Sequence, residues 1–121
     1  MSWLDEHAAI ECCDIVTAGR VTGTPHEIEI WFGVSDGTMY LISGNGPGAD
    51  WYRNVLSTPD VVVKLAGERR TGRARDVLDP DERRRCGELM GRKYVWDGDA
   101  SIGLTYEAWC FEVPAIAIEF D

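Results

Sequence analysis

The alternation of apolar and polar residues is clearest from residue 26 onward. Ile28, Ile30, Phe32 and Val34 fall on one face while Glu27, Glu29 and Trp31 fall on the other, the period of two that a strand with one buried face requires. Asp36-Gly37 is a hairpin signal, and residues 38–43 return as its second strand. A second pair of strands is expected at 61–66 and 70–78, joined by Gly67-Glu68, with Gly72 and Ala74 sharing a face where a neighbouring backbone can come close. Two last strands are predicted at 107–113 and 115–120, bent at Pro114.

Three segments read as helices. Ser2 can cap a helix over 2–17, where Trp3, His7, Ile10 and Asp14 lie near one face and Leu4, Ala8, Cys12 and Ile15 near another. Residues 49–56 follow a Gly-rich loop and carry Asp50 in their first turn. Residues 79–94 open on Asp79-Pro80 with Asp81 and Glu82 next, and close on Arg92 and Lys93, the charge order a helix dipole favours. The expected fold is mainly β with flanking helices, a small closed antiparallel barrel in a single domain over 1–121.

A chain of 121 residues, 45% hydrophobic and 27% charged, can bury one core but not two. No apolar run approaches the roughly 18 residues of a membrane span. The acidic beginning (Asp5, Glu6, Glu11, Asp14) lacks the basic and apolar regions of a signal peptide, so the cytoplasm is the expected location. A net charge of −9 argues against nucleic acid as a partner. Residues 64–93 depart from that balance, with ten basic against six acidic side chains, and could offer a basic face to an anion. Cys12, Cys13, Cys86 and Cys110 show no metal-ligand spacing and are expected as buried, reduced thiols.

Two stretches could carry chemistry. In residues 43–48, Ser43-Gly44-Asn45-Gly46-Pro47-Gly48, a strand runs through a Gly-rich loop into a helix start, an arrangement whose backbone N–H groups can face a phosphate. The loop lacks the residues of a Walker motif and the spacing of a dinucleotide fingerprint, so a plain connector is the competing reading. The other stretch runs from Thr17 to His26 and holds Arg20 among hydroxyls and turn residues. Arg20 could pair with phosphate or carboxylate, or stand as a solvated loop cation.

Taken together, Thr17-Ala18-Gly19-Arg20-Val21-Thr22-Gly23-Thr24-Pro25-His26, Ser43 to Gly46, Asp50-Trp51 with Asn54, and Pro59 to Val63 resemble the deazaflavin-dependent nitroreductase and quinone reductase family. Order and spacing match from Val16 to Leu78, about half the chain. The resemblance implies a split β-barrel that binds the deazaflavin coenzyme F-420, with Arg20, Thr22, Ser43, Gly44, Asn45 and Gly46 as cofactor contacts. Trp51 and Asn54 are either further contacts or packing and loop-bracing residues. Hydride would pass to a small quinone, nitroarene or enone-like acceptor, with the protein supplying position, charge and exclusion of water. Tyr94, Tyr106 and His26 are candidate proton donors by residue type alone. An FMN-dependent split barrel and a non-catalytic protein that binds a cofactor or apolar ligand are the alternatives. A homodimer is expected by analogy with other small split barrels.

Overall fold

The computed structural model describes residues 3–120. A short helix α1 (Trp3–Glu6) leads into β1 (Cys12–Ala18), followed by β2 (Pro25–Trp31), β3 (Gly33–Ser35) and β4 (Thr38–Ile42). Helix α2 (Asp50–Ser57) then precedes β5 (Asp60–Leu65), β6 (Glu68–Asp76), α3 (Pro80–Lys93), α4 (Tyr106–Phe111) and β7 (Ala115–Phe120). Single 3-10 turns at Gly46–Gly48 and Ala100–Ile102 complete the order. The strands form one antiparallel sheet in the order β2-β1-β5-β6-β7-β4-β3. Its two end strands, β2 and β3, are consecutive in the chain and separated only by Phe32, so the sheet must curl until its edges meet there. That geometry agrees with the antiparallel barrel expected from the strand pattern and with the split barrel that the family resemblance implies.

Three predicted elements are corrected. The single strand read through Ile28, Ile30, Phe32 and Val34 is split at Phe32 into β2, which pairs with β1, and β3, which pairs with β4. The helix expected over 2–17 stops at Glu6, and Cys12–Ala18 is a strand. The same residues carry a period of two: Cys13, Ile15 and Thr17 are buried while their neighbours are half-buried. Pairing decides between the periods, because β1 binds β2 through Cys12↔Trp31 to Ala18↔Pro25 and β5 through Ile15↔Val63. A helix would leave both neighbours with unpaired edges. The strand expected over 107–113 is instead α4, which Thr105 caps by accepting a hydrogen bond from the Ala108 amide at 3.0 Å. Its other end is held by Arg83, whose guanidinium donates to the carbonyls of Trp109, Cys110 and Val113.

The barrel interior is filled by Ile15, Phe32, Met39, Leu41, Val63, Ile116 and Ile118, all fully buried. Helix α2 packs into this core with Tyr52 and Val55, and the Tyr52 hydroxyl donates to Asp76 at 3.0 Å. On the other side of β4 and β7, Tyr40, Ile42, Ala115 and Ala117 form a second core with Cys86 and Met90 of α3 and Trp109 of α4. These two strands are therefore buried on both faces. Cys13, Cys86 and Cys110 are buried, Cys12 is half-buried, and all four are free thiols.

The bend at Phe32 is braced by Tyr94. Its hydroxyl accepts from the Phe32 amide at 3.1 Å and has one proton to donate, shared between the carbonyls of Glu11 (2.6 Å) and Phe32 (2.9 Å). Lys93 donates to the same Phe32 carbonyl at 2.8 Å. The basic stretch 64–93 is largely compensated within the fold: Arg70 pairs with Glu68, Arg73 with Asp60, and Arg75 with Glu82 and Glu119.

Candidate functional site

The loop after β1 turns back at Gly19, whose amide donates to the Thr24 carbonyl at 2.8 Å, and carries Arg20 over the start of α2. Asn54, 3% exposed on α2, receives it. Its Oδ1 accepts from the Arg20 backbone amide at 3.2 Å and from the Arg20 guanidinium at 2.9 Å, while its Nδ2 donates to Thr17 Oγ1 at 3.2 Å. A second guanidinium nitrogen reaches Asp50 at 3.1 Å. Asn54 thus spends both ends of its amide on bracing this loop.

Arg20, Thr22, His26, Trp51 and Asn54 line one hollow of about 380 Å³. Thr22 and Thr24 share a hydroxyl hydrogen bond of 2.8 Å at its mouth. Trp51 is half-buried, meets Tyr52 edge to face, and also packs against the barrel core. The His26 ring lies against Gly19, where a Cβ would stand only 2.9 Å from His26 Nε2. A side chain at 19 would have to displace the exposed His26 ring and would crowd the Thr24 carbonyl at 3.1 Å.

The Gly-rich loop faces a different hollow, also about 380 Å³, in which Gly44, Asn45 and Gly46 stand opposite Leu104 and Val113. Ser43 is fully buried behind it and donates from Oγ to the Gly46 carbonyl at 2.7 Å. Gly46 adopts φ +83°, and neither Gly46 nor Gly48 has any atom within 4 Å of where a Cβ would be. The loop therefore presents bare backbone to open space. So the structure unites Arg20, Thr22, Trp51 and Asn54 in one hollow and sets residues 44–46 beside another.

Of the candidate proton donors, only His26 lies in the Arg20 hollow. The Tyr94 hydroxyl braces the β2–β3 bend, and burial pushes its pKa up to about 12. Tyr106 donates to the Gly91 carbonyl at 2.6 Å, and burial raises its pKa as well. Sequence reasoning missed Asp50 as the partner of Arg20 and Thr17 as the partner of Asn54. Both stand within the matched motifs, but only the fold shows what they touch.

The sequence matches the profile of the F420H2-dependent quinone reductase family over residues 10–100. No curated protein matches it. Among solved structures, a conserved hypothetical protein from Mycobacterium tuberculosis superposes with a TM-score of 0.72 at 19% identity, covering 98% of this chain and 79% of that one. An F420-H2 dependent reductase has a TM-score of 0.70 at 20% identity, covering 91% of this chain and 95% of the other. The haem storage protein HutZ from Vibrio cholerae has a TM-score of 0.73 at 12% identity, covering 98% and 87%. At these identities the structural matches establish the fold they share. Among the described residues no helix is long and apolar enough to cross a membrane.

Proposed function

We propose, from the premise that the chain belongs to the F420H2-dependent quinone reductase family, that it uses reduced coenzyme F-420 to reduce a small quinone, nitroarene or enone-like acceptor. The observation that carries this reading is the junction of Arg20 with Asn54 and Asp50, which folds two family-matching stretches into one wall of a groove. The Arg20 hollow suits an anionic coenzyme, with a guanidinium at its rim and the hydroxyl of Thr22 beside it, and the open glycine backbone at Gly46 and Gly48 precedes the same helix in the neighbouring hollow's loop. In this reading Arg20, Thr22 and residues 44–46 hold the coenzyme's phosphate region, Trp51 bounds the Arg20 hollow, and Ser43, fully buried, braces the loop from behind rather than touching the coenzyme.

When bound, the reduced deazaflavin supplies hydride from its carbon 5. The chain's own contribution is positional. Asn54 fixes Arg20 so that a charged group is already in place before binding, which lowers the ordering cost of association. Helix α2 closes the barrel below the groove and excludes water. In this reading His26, which lines the Arg20 hollow, is the candidate proton donor.

The test is to titrate the purified protein with oxidised coenzyme F-420, FMN and haem, then to follow oxidation of the reduced deazaflavin by menadione. Binding and turnover with the deazaflavin support the reading. FMN binding with turnover would favour the flavin alternative, and haem binding alone a carrier. The reading includes a homodimer: on the outer face of β1 and β5, Val16, Ala18 and Val62 line an open hollow of about 510 Å³. A light-scattering mass of one chain would count against the dimer.

A further inference from the structure

A further hollow, of about 350 Å³, opens at the seam of the barrel and has Trp31, Trp96 and Trp109 among its walls, with Glu29 and Cys12 at its edge. The three indoles stand pairwise near-perpendicular, at 85°, 87° and 89°, with ring centroids 5.6, 5.8 and 5.6 Å apart. Three planes so arranged meet as a corner. Two of its walls are backed by tyrosines: Tyr94 stacks on Trp31 at 4.3 Å and 2°, and Tyr106 on Trp109 at 6.2 Å and 25°. Both tyrosine hydroxyls are tied to backbone carbonyls, so the walls are set before any ligand arrives. The corner is assembled from β2, the segment after α3, and α4, which no local motif connects.

The charge around this hollow is one-sided. Glu29 shares an outward face of β2 with Trp31 and stands opposite Asp14 on β1. The nearby cation Lys64 is taken by Glu27 at 2.6 Å, which leaves Glu29 with no hydrogen-bond or ion-pair partner among the described residues. Glu11 and Asp14 add to the same field: the Cys12 thiol is pushed up first by burial, then by Glu29 and Glu11, with Lys93 opposing them. Lys93 is itself engaged, donating to the Phe32 carbonyl and lying 3.7 Å over the Phe32 ring.

Aromatic faces beside an unpaired carboxylate attract positive charge, through the ring quadrupole and through Coulomb attraction. The rim offers one free carboxylate, which cannot satisfy several ligand N–H groups, so a cation whose nitrogen carries no N–H brings no donor of its own to go unpaired. We propose that the Trp31–Trp96–Trp109 corner binds a flat organic cation, an N-alkylated aromatic heterocycle, with Glu29 as its counter-charge. The corner lies apart from the Arg20 hollow, with Trp109 bordering Gly44 of the glycine-rich loop, and its binding of a cation does not depend on the coenzyme reading.

The experiment is a titration of the nitrogen-15-labelled, coenzyme-free protein with N-methylquinolinium, and in parallel with quinoline at a pH where quinoline is neutral. The tryptophan indole N–H resonances are followed. The expected result is movement of Trp31, Trp96 and Trp109, with Trp3 and Trp51 as stationary controls. The cation should bind roughly three- to fivefold more tightly than quinoline. Glu29→Gln should reduce that preference to the part the rings supply, while leaving quinoline affinity and the melting curve unchanged. Equal affinities for the two probes, a preference undiminished by Glu29→Gln, shifts centred on Trp51, or no shifts up to the solubility limit would each overturn the proposal. Because no coenzyme is in the sample, this failure is distinct from failure of the reductase reading.

Discussion

Asn54 Oδ1 accepts two hydrogen bonds from Arg20, one from the backbone amide at 3.2 Å and one from the guanidinium at 2.9 Å. One buried amide thus fixes both the path of a loop and the direction of its charged side chain. Asn54→Ala should cost about 1–3 kcal/mol of stability, because buried hydrogen-bonding groups lose their partner. It should also weaken coenzyme binding by releasing Arg20. Denaturant unfolding and coenzyme titration of the same variant check the two effects, and unchanged stability would show that the network is dispensable.

The Arg20 charge is shared with Asp50, whose side chain is 85% exposed. Arg20→Ala should weaken coenzyme binding by about 1.5–3 kcal/mol, the range of a charge-assisted hydrogen bond. Asp50→Asn should act in the opposite direction. It removes a competing anion from the guanidinium and should tighten binding by up to about 1 kcal/mol, with the gain shrinking as salt is added. Weaker binding in Asp50→Asn would mean that the carboxylate positions Arg20 rather than competing for it.

Gly46 and Gly48 both face open space, but only Gly46 has a positive φ, at +83°. Gly46→Ala should therefore cost about 1–2 kcal/mol through the left-handed backbone alone, whereas Gly48→Ala should stay within about 0.5 kcal/mol of the parent. If the loop holds phosphate, Gly48→Val should impair coenzyme binding at nearly parental stability. Thermal melts beside coenzyme titrations separate strain from obstruction.

Glu82 receives Arg75 at 2.7 Å and the Tyr40 hydroxyl at 2.7 Å. The Arg75 hydrogen bond is the largest cause holding its carboxyl down at about 2, against an ordinary 4.5. Because the folded-state pKa is depressed, the stabilisation is present above 4.5 and is lost as pH falls from there through about 2. Glu82→Gln should be less stable than the parent at neutral pH, with the gap closing across that window. A gap that stays constant down to pH 2 would rule out Glu82 as a source of acid sensitivity.

Gly87 lets α3 and α4 approach so closely that an added Cβ would meet the Cys110 carbonyl and come within 2.5 Å of the Phe111 ring. Gly87→Ala should cost about 1–3 kcal/mol through overpacking, and would show as a lowered denaturant midpoint. An unchanged midpoint would mean that α4 can shift away freely.

The extended segments between residue 26 and Asp76 were legible because their periodicity and turn residues are local, but the break at Phe32 that sends β2 to β1 and β3 to β4 was not. Asp36-Gly37 joins β3 to β4, and Ala66-Gly67 joins β5 to β6; all four residues have positive φ. Helix α3 was equally legible: Asp79 accepts from the Glu82 amide at 3.1 Å, beside Pro80 in the first turn. The two stretches that carry the family resemblance could likewise be read from order and spacing alone.

Tertiary structure alone decided the rest. Residues 12–17 satisfy both a helical and a strand period, and β1 is a strand because β2 and β5 stand on either side to take its backbone groups. Residues 106–111 are rich in aromatic and apolar types that suit a strand, yet they form a helix because Arg83 closes its last carbonyls and Gly87 gives it room. The Arg20–Asn54 bond spans 34 positions and the Trp31–Trp109 contact spans 78. Residue type records that such groups can bond or stack. Only the curled sheet, closing at Phe32, decides which of them meet, because contacts between distant positions depend on how the whole chain is packed.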